Sequence, residues 1–214
     1  MDSSSARKRG RPPRAFDGQL DTRQALVRAG VAVLTEKGFA ATGIDEVLRA
    51  VGVPKGSFYH YFASKEGFGA EVIDAYAAYF ARKLDRFLRD PVLPPLERIR
   101  AFADDAERGM RRHGFRRGCL VGNLGQEMAA LPEPFRHRLL AVFEDWQARM
   151  ARCLEEARTG GGLRPDADCG ALAAFFWIGW EGAVLRAKLE QDAAPLRRFT
   201  EGFFRSLPLA GPHA

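Results

Sequence analysis

From Leu20 onward, apolar residues recur at three- and four-residue steps broken by Gly and Pro, and no stretch sustains the one-in-two alternation of a strand. The pattern predicts an all-α protein. A first helix covers about Asp21 to Lys37, with Leu26, Ala29, Gly30, Val33 and Leu34 on one face and Gly38 as its C-terminal stop. Thr42 opens Thr-Gly-Ile-Asp, a capping-box pattern in which Thr42 and Asp45 satisfy free amides at the start of a helix running to about Ala50. Gly52 turns the chain. Pro54 suits the first position of a short helix through His60, because its missing N–H would have no intrahelical partner there. Ser64 is an N-cap for a long helix from about Lys65 to Leu88, whose stripe of Phe68, Val72, Tyr76, Tyr79, Phe80, Leu84 and Phe87 suits a link between two domains. After the proline-rich break at 90–95, helices are expected over 96–113, 119–130, 133–158, 167–190 and 194–206.

The two short helices and turn from Thr42 to Phe62 bury little surface alone, so they need the first and fourth helices as a platform. That arrangement is a DNA-binding helix-turn-helix. Its second helix would enter the major groove, with flanking basic and hydroxyl groups on phosphates. Lys55, Ser57, Tyr59, His60 and Lys65 are the candidate contacts, with Thr42 as a further hydroxyl, while Phe58 and Phe62 belong to the core. Charge supports this placement: residues 1–65 carry 11 Lys/Arg against 6 Asp/Glu, and residues 66–214 carry 22 against 21. The polyanion partner therefore belongs to the first third. Within the basic N-terminal arm, Arg9-Gly10-Arg11-Pro12 is similar to an AT-hook core, in which Arg9 and Arg11 would lie in a narrow A·T-rich minor groove. A tail that only raises nonspecific affinity is the alternative; both make binding salt-sensitive.

Composition, 46% hydrophobic and 28% charged, is that of a globular chain, without an apolar run near the roughly 18 residues that span a bilayer or a secretory leader after Met1. A cytoplasmic protein is expected. Cys119, Cys153 and Cys169 form no CxxC pair, and the four histidines lack metal-ligand spacing, so no disulfide framework, metal or cofactor is assigned.

The run Gly-Ile-Asp-Glu-Val-Leu-Arg-Ala-Val-Gly-Val-Pro-Lys-Gly-Ser-Phe-Tyr-His-Tyr-Phe-Ala-Ser-Lys-Glu, residues 43–66, closely resembles the DNA-binding signature of TetR-type regulators. The resemblance implies backbone contacts at Lys55, Tyr59, His60 and Lys65, with Gly56 and Ser57 near bases. It also implies a flexible basic arm at 1–18, a helix-turn-helix domain at 19–65, and a ligand-binding and dimerisation domain at 66–214, joined by helix 65–88. A homodimer acting on a double-stranded operator, and a small-molecule effector, follow as expected partners. The apolar surround of Ala171, Leu172, Phe175, Phe176, Ile178, Gly179, Gly182, Ala183 and Leu185 agrees with a helix that meets both a core and a second subunit.

Residues 113–128 and 177–189 further resemble the acrylate-responsive AcuR subgroup and the NemR-type electrophile sensors, in which a redox-active cysteine matches Cys119 and a partner lysine matches Lys188. Cys119 follows Gly118 near a predicted helix start and the Arg116-Arg117 pair, both of which would favour the thiolate that attacks electrophiles. The alternative is a buried thiol packed as a small apolar residue. An acrylate-like effector also needs a cation or hydrogen-bond donors, for which Arg116, Asn123, Gln126, Trp180, Glu181, Arg186 and Lys188 are candidates.

The function expected is a repressor that leaves its palindromic operator when acrylate, its thioester or another electrophile binds. Two alternatives stand beside it: a cysteine-dependent thioester-processing enzyme, and an architectural DNA-binding protein without a ligand. No serine elbow, metal motif or nucleotide loop supports the first, and the long helical C-terminal half argues against the second.

Overall fold

The structure is a computed structural model that describes the backbone of residues 16–211 and the side chains of residues 21–211. Arg9, Arg11 and the rest of the arm through residue 15 lie outside the described residues, so the expected minor-groove contact does too. The described residues form helices α1 (Phe16–Lys37), α2 (Ile44–Val51), a 3-10 turn (Lys55–His60), α3 (Lys65–Leu88), α4 (Pro95–Arg112), α5 (Leu120–Gln126), a second 3-10 turn (Met128–Ala130), α6 (Glu133–Thr159), α7 (Cys169–Glu190) and α8 (Ala194–Ser206). The all-α expectation holds.

Helix α1 begins five residues earlier than its periodicity indicates, inside the segment assigned to the arm. It stops at Gly38, whose φ of 83° is a left-handed conformation that a side chain disfavours. The capping box is not formed. Gly43 is the N-cap of α2 and gives no side-chain bond, while Thr42 is only 3% exposed and its hydroxyl donates to the Gly38 carbonyl at 2.6 Å. Thr42 lies five residues past the end of α1, where its hydroxyl reaches the carbonyl of the terminating Gly38, so it closes one helix instead of opening the next. Pro54 is likewise the N-cap of the following turn and not its first residue, and that turn is 3-10 in geometry, with Gly56 in its interior weakening α-helix formation. Gly52, φ 69°, makes the turn between the two elements. Ser64 caps α3 as expected, accepting from the Gly67 amide at 3.0 Å.

Leu26, Leu34, Val47, Leu48, Phe58, Phe62, Phe68 and Val72 are buried together where α1, α2, the 3-10 turn and the start of α3 meet. The Phe58, Phe62 and Phe68 rings lie 4.9–5.6 Å apart by centroid. Farther along α3 the core passes to Trp146 on α6 and Trp177 on α7, 5.0 Å apart, with Phe80 4.4 Å from Trp146. Each fully buried aromatic contributes roughly 1.5–3 kcal/mol. Tyr79 departs from its expected stripe and is 54% exposed, because α3 turns one side to α1 and another to α4 and α6, and Tyr79 falls in the groove between. Arg98 fixes the proline-rich loop: its guanidinium donates to the Leu88 and Leu93 carbonyls and pairs with Glu156 at 2.6 Å.

The helix expected over 119–130 is shorter. Gly122 and Gly125 lower its propensity, and the chain breaks at Glu127, whose carboxylate accepts from the Phe39 and Ala40 amides at 3.1 and 2.8 Å. This contact also makes Gly38 special: a methyl there would meet the Glu127 carboxylate at 1.6 Å. At Gly52 a methyl meets nothing within 4 Å. Gly52→Ala should therefore lose about 1 kcal/mol of stability from left-handed backbone alone, and Gly38→Ala about 2–3 kcal/mol because the Glu127 bonds are lost as well. Urea midpoints compare the two; equal losses would contradict the clamp.

Candidate DNA interface and effector cavity

The turn Lys55–His60 presents one continuous exposed surface. Tyr59 is 70% exposed with its ring edge on Phe58, and Lys55, Gly56 and His60 are exposed beside it. Phe58 beneath is buried and anchors the turn. A methyl on Gly56 would meet open space, so the backbone there is free to approach a partner closely. Lys55 pairs with Asp45 of α2 at 2.6 Å across solvent, a weak contact that a phosphate can replace. Lys65 is half-buried with its ammonium 4.6 Å from the centre of the Phe39 ring, and Ser57 is half-buried. Thr42 is removed from this surface by its burial, which corrects its place among the candidate contacts.

Above this unit a cavity of about 380 Å³ lies between α1, α3, α4, the loop before α5, and α7. Cys119, Trp180 and Glu181 line it together, with Tyr76 beside them. It shares Arg28, Val31, Tyr76 and Tyr79 with a wider groove of about 780 Å³ along α1 and α3. Arg28 and Arg112 stand exposed at its edge, and Lys83 is paired with Asp105 at 2.8 Å. The wall cations Lys83 and Arg117 are each ion-paired, to Asp105 and Glu36, and Tyr76, Trp180 and Glu181 stand around Cys119 at one end.

That end corrects the expected activation of Cys119. The thiol is buried, and burial first, then the Glu181 carboxylate, push its pKa well above the ordinary thiol value. Arg116 and Arg117 do not offset this, because both turn to Glu36 of α1 at 3.7 and 3.5 Å. Cys119 is the N-cap of α5 and its sulfur accepts from the Gly122 amide at 3.4 Å. Tyr76 is also raised well above its usual value by burial, lying against Cys119 and the Leu120 amide. Burial raises Glu181 to about 7, and its Oε1 has no hydrogen-bond partner among the described residues.

The other candidates separate. The Lys188 ammonium donates to Asn123 Oδ1 at 3.0 Å while its stem packs over Gly118, next to Cys119, and burial lowers its pKa. Asn123 in turn donates to the Thr35 carbonyl of α1. Gln126 is exposed on α5, and Arg186 is exposed and paired with Glu190. Arg116 is on the outer surface. Cys153 and Cys169 are buried, and Cys153 donates to the Pro95 carbonyl at 3.2 Å. Sequence reasoning missed Tyr76, Arg28, Thr35, Glu36 and Glu127. Each belongs to an ordinary helix or loop pattern, and only the packing of segments distant in sequence, about 90 residues for Thr35 and Glu127, reveals it.

One face of α7 carries a separate feature. Phe175, Ile178, Leu185 and Leu189 are exposed, Ile178 by 74%, while Phe176, Trp177, Trp180 and Val184 on the opposite side are buried. Their spacing with Gly182 repeats at three and four residues, one continuous apolar stripe.

Two family models cover most of the chain: "Bacterial regulatory proteins, tetR family" matches residues 26–72, and "Tetracyclin repressor-like, C-terminal domain" matches residues 95–203. Among curated relatives, the transcriptional regulator AcuR of Cereibacter sphaeroides is 57% identical, covering 92% of this chain and 90% of its own. The HTH-type transcriptional repressor NemR of Escherichia coli is 31% identical, covering 82% and 88%. A crystal structure of a regulatory protein TetR from Rhodobacter sphaeroides superposes with a TM-score of 0.85 at 57% identity, covering 87% of this chain and 98% of that one. The chain belongs to the TetR family of bacterial transcriptional regulators, ligand-responsive proteins that bind DNA through a helix-turn-helix.

Proposed function

We propose that the protein is a homodimeric cytoplasmic repressor that holds a palindromic operator when its cavity is empty and releases it when a small α,β-unsaturated acid, thioester or other electrophile occupies the space beside Cys119. The observation that carries this is the position of the cavity: one wall is the C-terminal half of α1, which leads into the helix-turn-helix, and another is α7. A ligand there has different contacts in two arrangements of α1 and α7, the condition for it to shift their populations. In this division residues 19–65 form the DNA-binding unit, residues 66–214 the ligand-binding and dimerisation unit, and residues 1–18 a basic arm.

The exposed α7 stripe is the surface proposed to meet a second copy. A two-fold axis along it pairs like residues and leaves Gly182 as the point of close approach. The two Lys55–Lys65 surfaces then reach successive major grooves about 34 Å apart. The relatives named as regulators and repressors support this assignment over an enzyme.

The test is titration of a duplex bearing the palindrome upstream of the gene, at physiological salt, with and without acrylate, an acryloyl thioester or N-ethylmaleimide. Selective binding and release are expected, and equal affinity for random DNA would reject the proposal. Cys119→Ser separates covalent sensing, which it abolishes, from simple occupancy, which it preserves. Lys55→Ala should reduce the salt slope of operator binding by about 1, and Tyr59→Ala should weaken binding by about tenfold. Ile178→Glu should yield a monomer by light scattering that no longer protects both half-sites; an intact dimer would reject the α7 interface.

A further inference from the structure

Glu181 is the one acidic group at the Cys119 end of the cavity, and it is built in closely. Its carboxylate occupies the space a side chain on Gly122 would take: a methyl there would lie 2.0 Å from Oε2. One face of the group meets α5, the Cys119 Cβ lies 3.7 Å from the same methyl position so that thiol and carboxylate border one space, and Oε1 is sealed from solvent without a partner among the described residues. A buried carboxylate oxygen left unpaired costs about 1–3 kcal/mol or more, so the carboxyl group is poised to gain a proton or a donor when the cavity fills. Lys188 and the Arg116-Arg117 pair are committed elsewhere, to Asn123 and Glu36.

We propose that Glu181 is the proton partner of Cys119, taking the thiol proton as sulfur adds to an effector and returning it to the adduct. This rests on the interpretation of Cys119 as the sensing residue. For an α,β-unsaturated carbonyl compound the step balances without an oxidant. The Sγ electron pair forms a bond to the β-carbon, the π pair moves toward the carbonyl oxygen, and the S–H proton passes to the Glu181 carboxylate. The resulting carboxylic acid then protonates the α-carbon, which leaves a thioether and restores the carboxylate. Tyr76, beside the thiol, remains neutral and can donate to the carbonyl oxygen.

This role explains how a buried thiol, well above its ordinary pKa, reacts near neutral pH: the base is supplied locally and thiolate need not form in advance. It also fixes the sign of the pH dependence. Glu181 accepts protons only as the carboxylate, which predominates above a pKa of about 7. The charged or titratable groups on the other cavity walls are Arg28 from α1, Tyr76, Tyr79 and Lys83 from α3, Arg112 and His113 from the end of α4, and Arg117 from the loop. Lys83 and Arg117 are ion-paired.

The experiment is the rate of Cys119 modification by N-ethylmaleimide, followed by intact mass on the full-length, DNA-free protein between pH 5.5 and 9, the range that brackets the Glu181 value. In the unmodified protein the rate should rise to a plateau just above neutrality. In Glu181→Gln it should fall about 100-fold at neutral pH and climb steadily with pH, as expected for free thiolate. Gly122→Ala, which displaces the carboxylate without removing it, should slow the reaction in the same direction. If Glu181 acts only by repelling the thiolate, Glu181→Gln reacts faster, and that result, or an unchanged rate and profile, overturns the proposal. Retained operator binding by both variants verifies that they fold. Slowed modification with no operator release on modification of the wild type would leave the proton role standing and reject the sensing assignment instead.

Discussion

The C-terminal end of α1 is held by side chains from a segment about 90 residues away. In a continuing helix the Phe39 amide would donate to the Thr35 carbonyl. Here Phe39 donates to Glu127, and Asn123 donates to Thr35, so two residues of the α5 segment replace the bond that the left-handed Gly38 removes. Helix ends leave such groups free by necessity, and a buried one cannot be abandoned cheaply. The position of α5 therefore bears on that of the α1–α2 loop, and with it the recognition turn packed on α2 and α3.

Helix α5, packed on α3 and α6, is tied to α7 as well. Lys188 bonds Asn123, its stem lies on Gly118, and the Glu181 carboxylate fills the space above Gly122. Cys119 sits at the start of the same short helix, at the cavity wall. A group bonded to that sulfur, or a ligand pressing on Glu181, bears on the α5 segment, whose bonds reach Thr35, Phe39 and Ala40. The coupling is two discrete sets of hydrogen bonds in series, which gives a physical basis for linked binding of DNA and effector. Arg116 and Arg117, bridging to Glu36, add a second tie between the same elements.

How much of this was legible in the sequence depended on whether the information was local. Helix α3 carries its own cap in Ser64, and the helix-turn-helix its own Gly52 turn and Phe58 anchor, so periodicity located them. Thr42 was misplaced because two carbonyl or amide partners competed for one hydroxyl, and only the path of the chain after Gly38 decides between them. Of the two readings of Cys119, the thiolate rested on neighbouring arginines in sequence, and Glu36, 81 residues from Arg117, draws them away, which favours the buried thiol. Glu127 carried no local signal, being one more acidic residue after a helix. Glu181 was named only as one of several polar candidates for an effector, and its packing against a glycine of another helix was not readable.

The central claim is that filling the space beside Cys119 loosens the hold of α5 on the end of α1. Amide hydrogen exchange at Phe39 and Ala40, compared between free protein and protein carrying a mass-verified N-ethylmaleimide adduct on Cys119, measures that hold directly. Faster exchange at both amides, accompanied by loss of operator affinity, is the predicted result. Operator release with unchanged exchange at Phe39 and Ala40 would contradict the account.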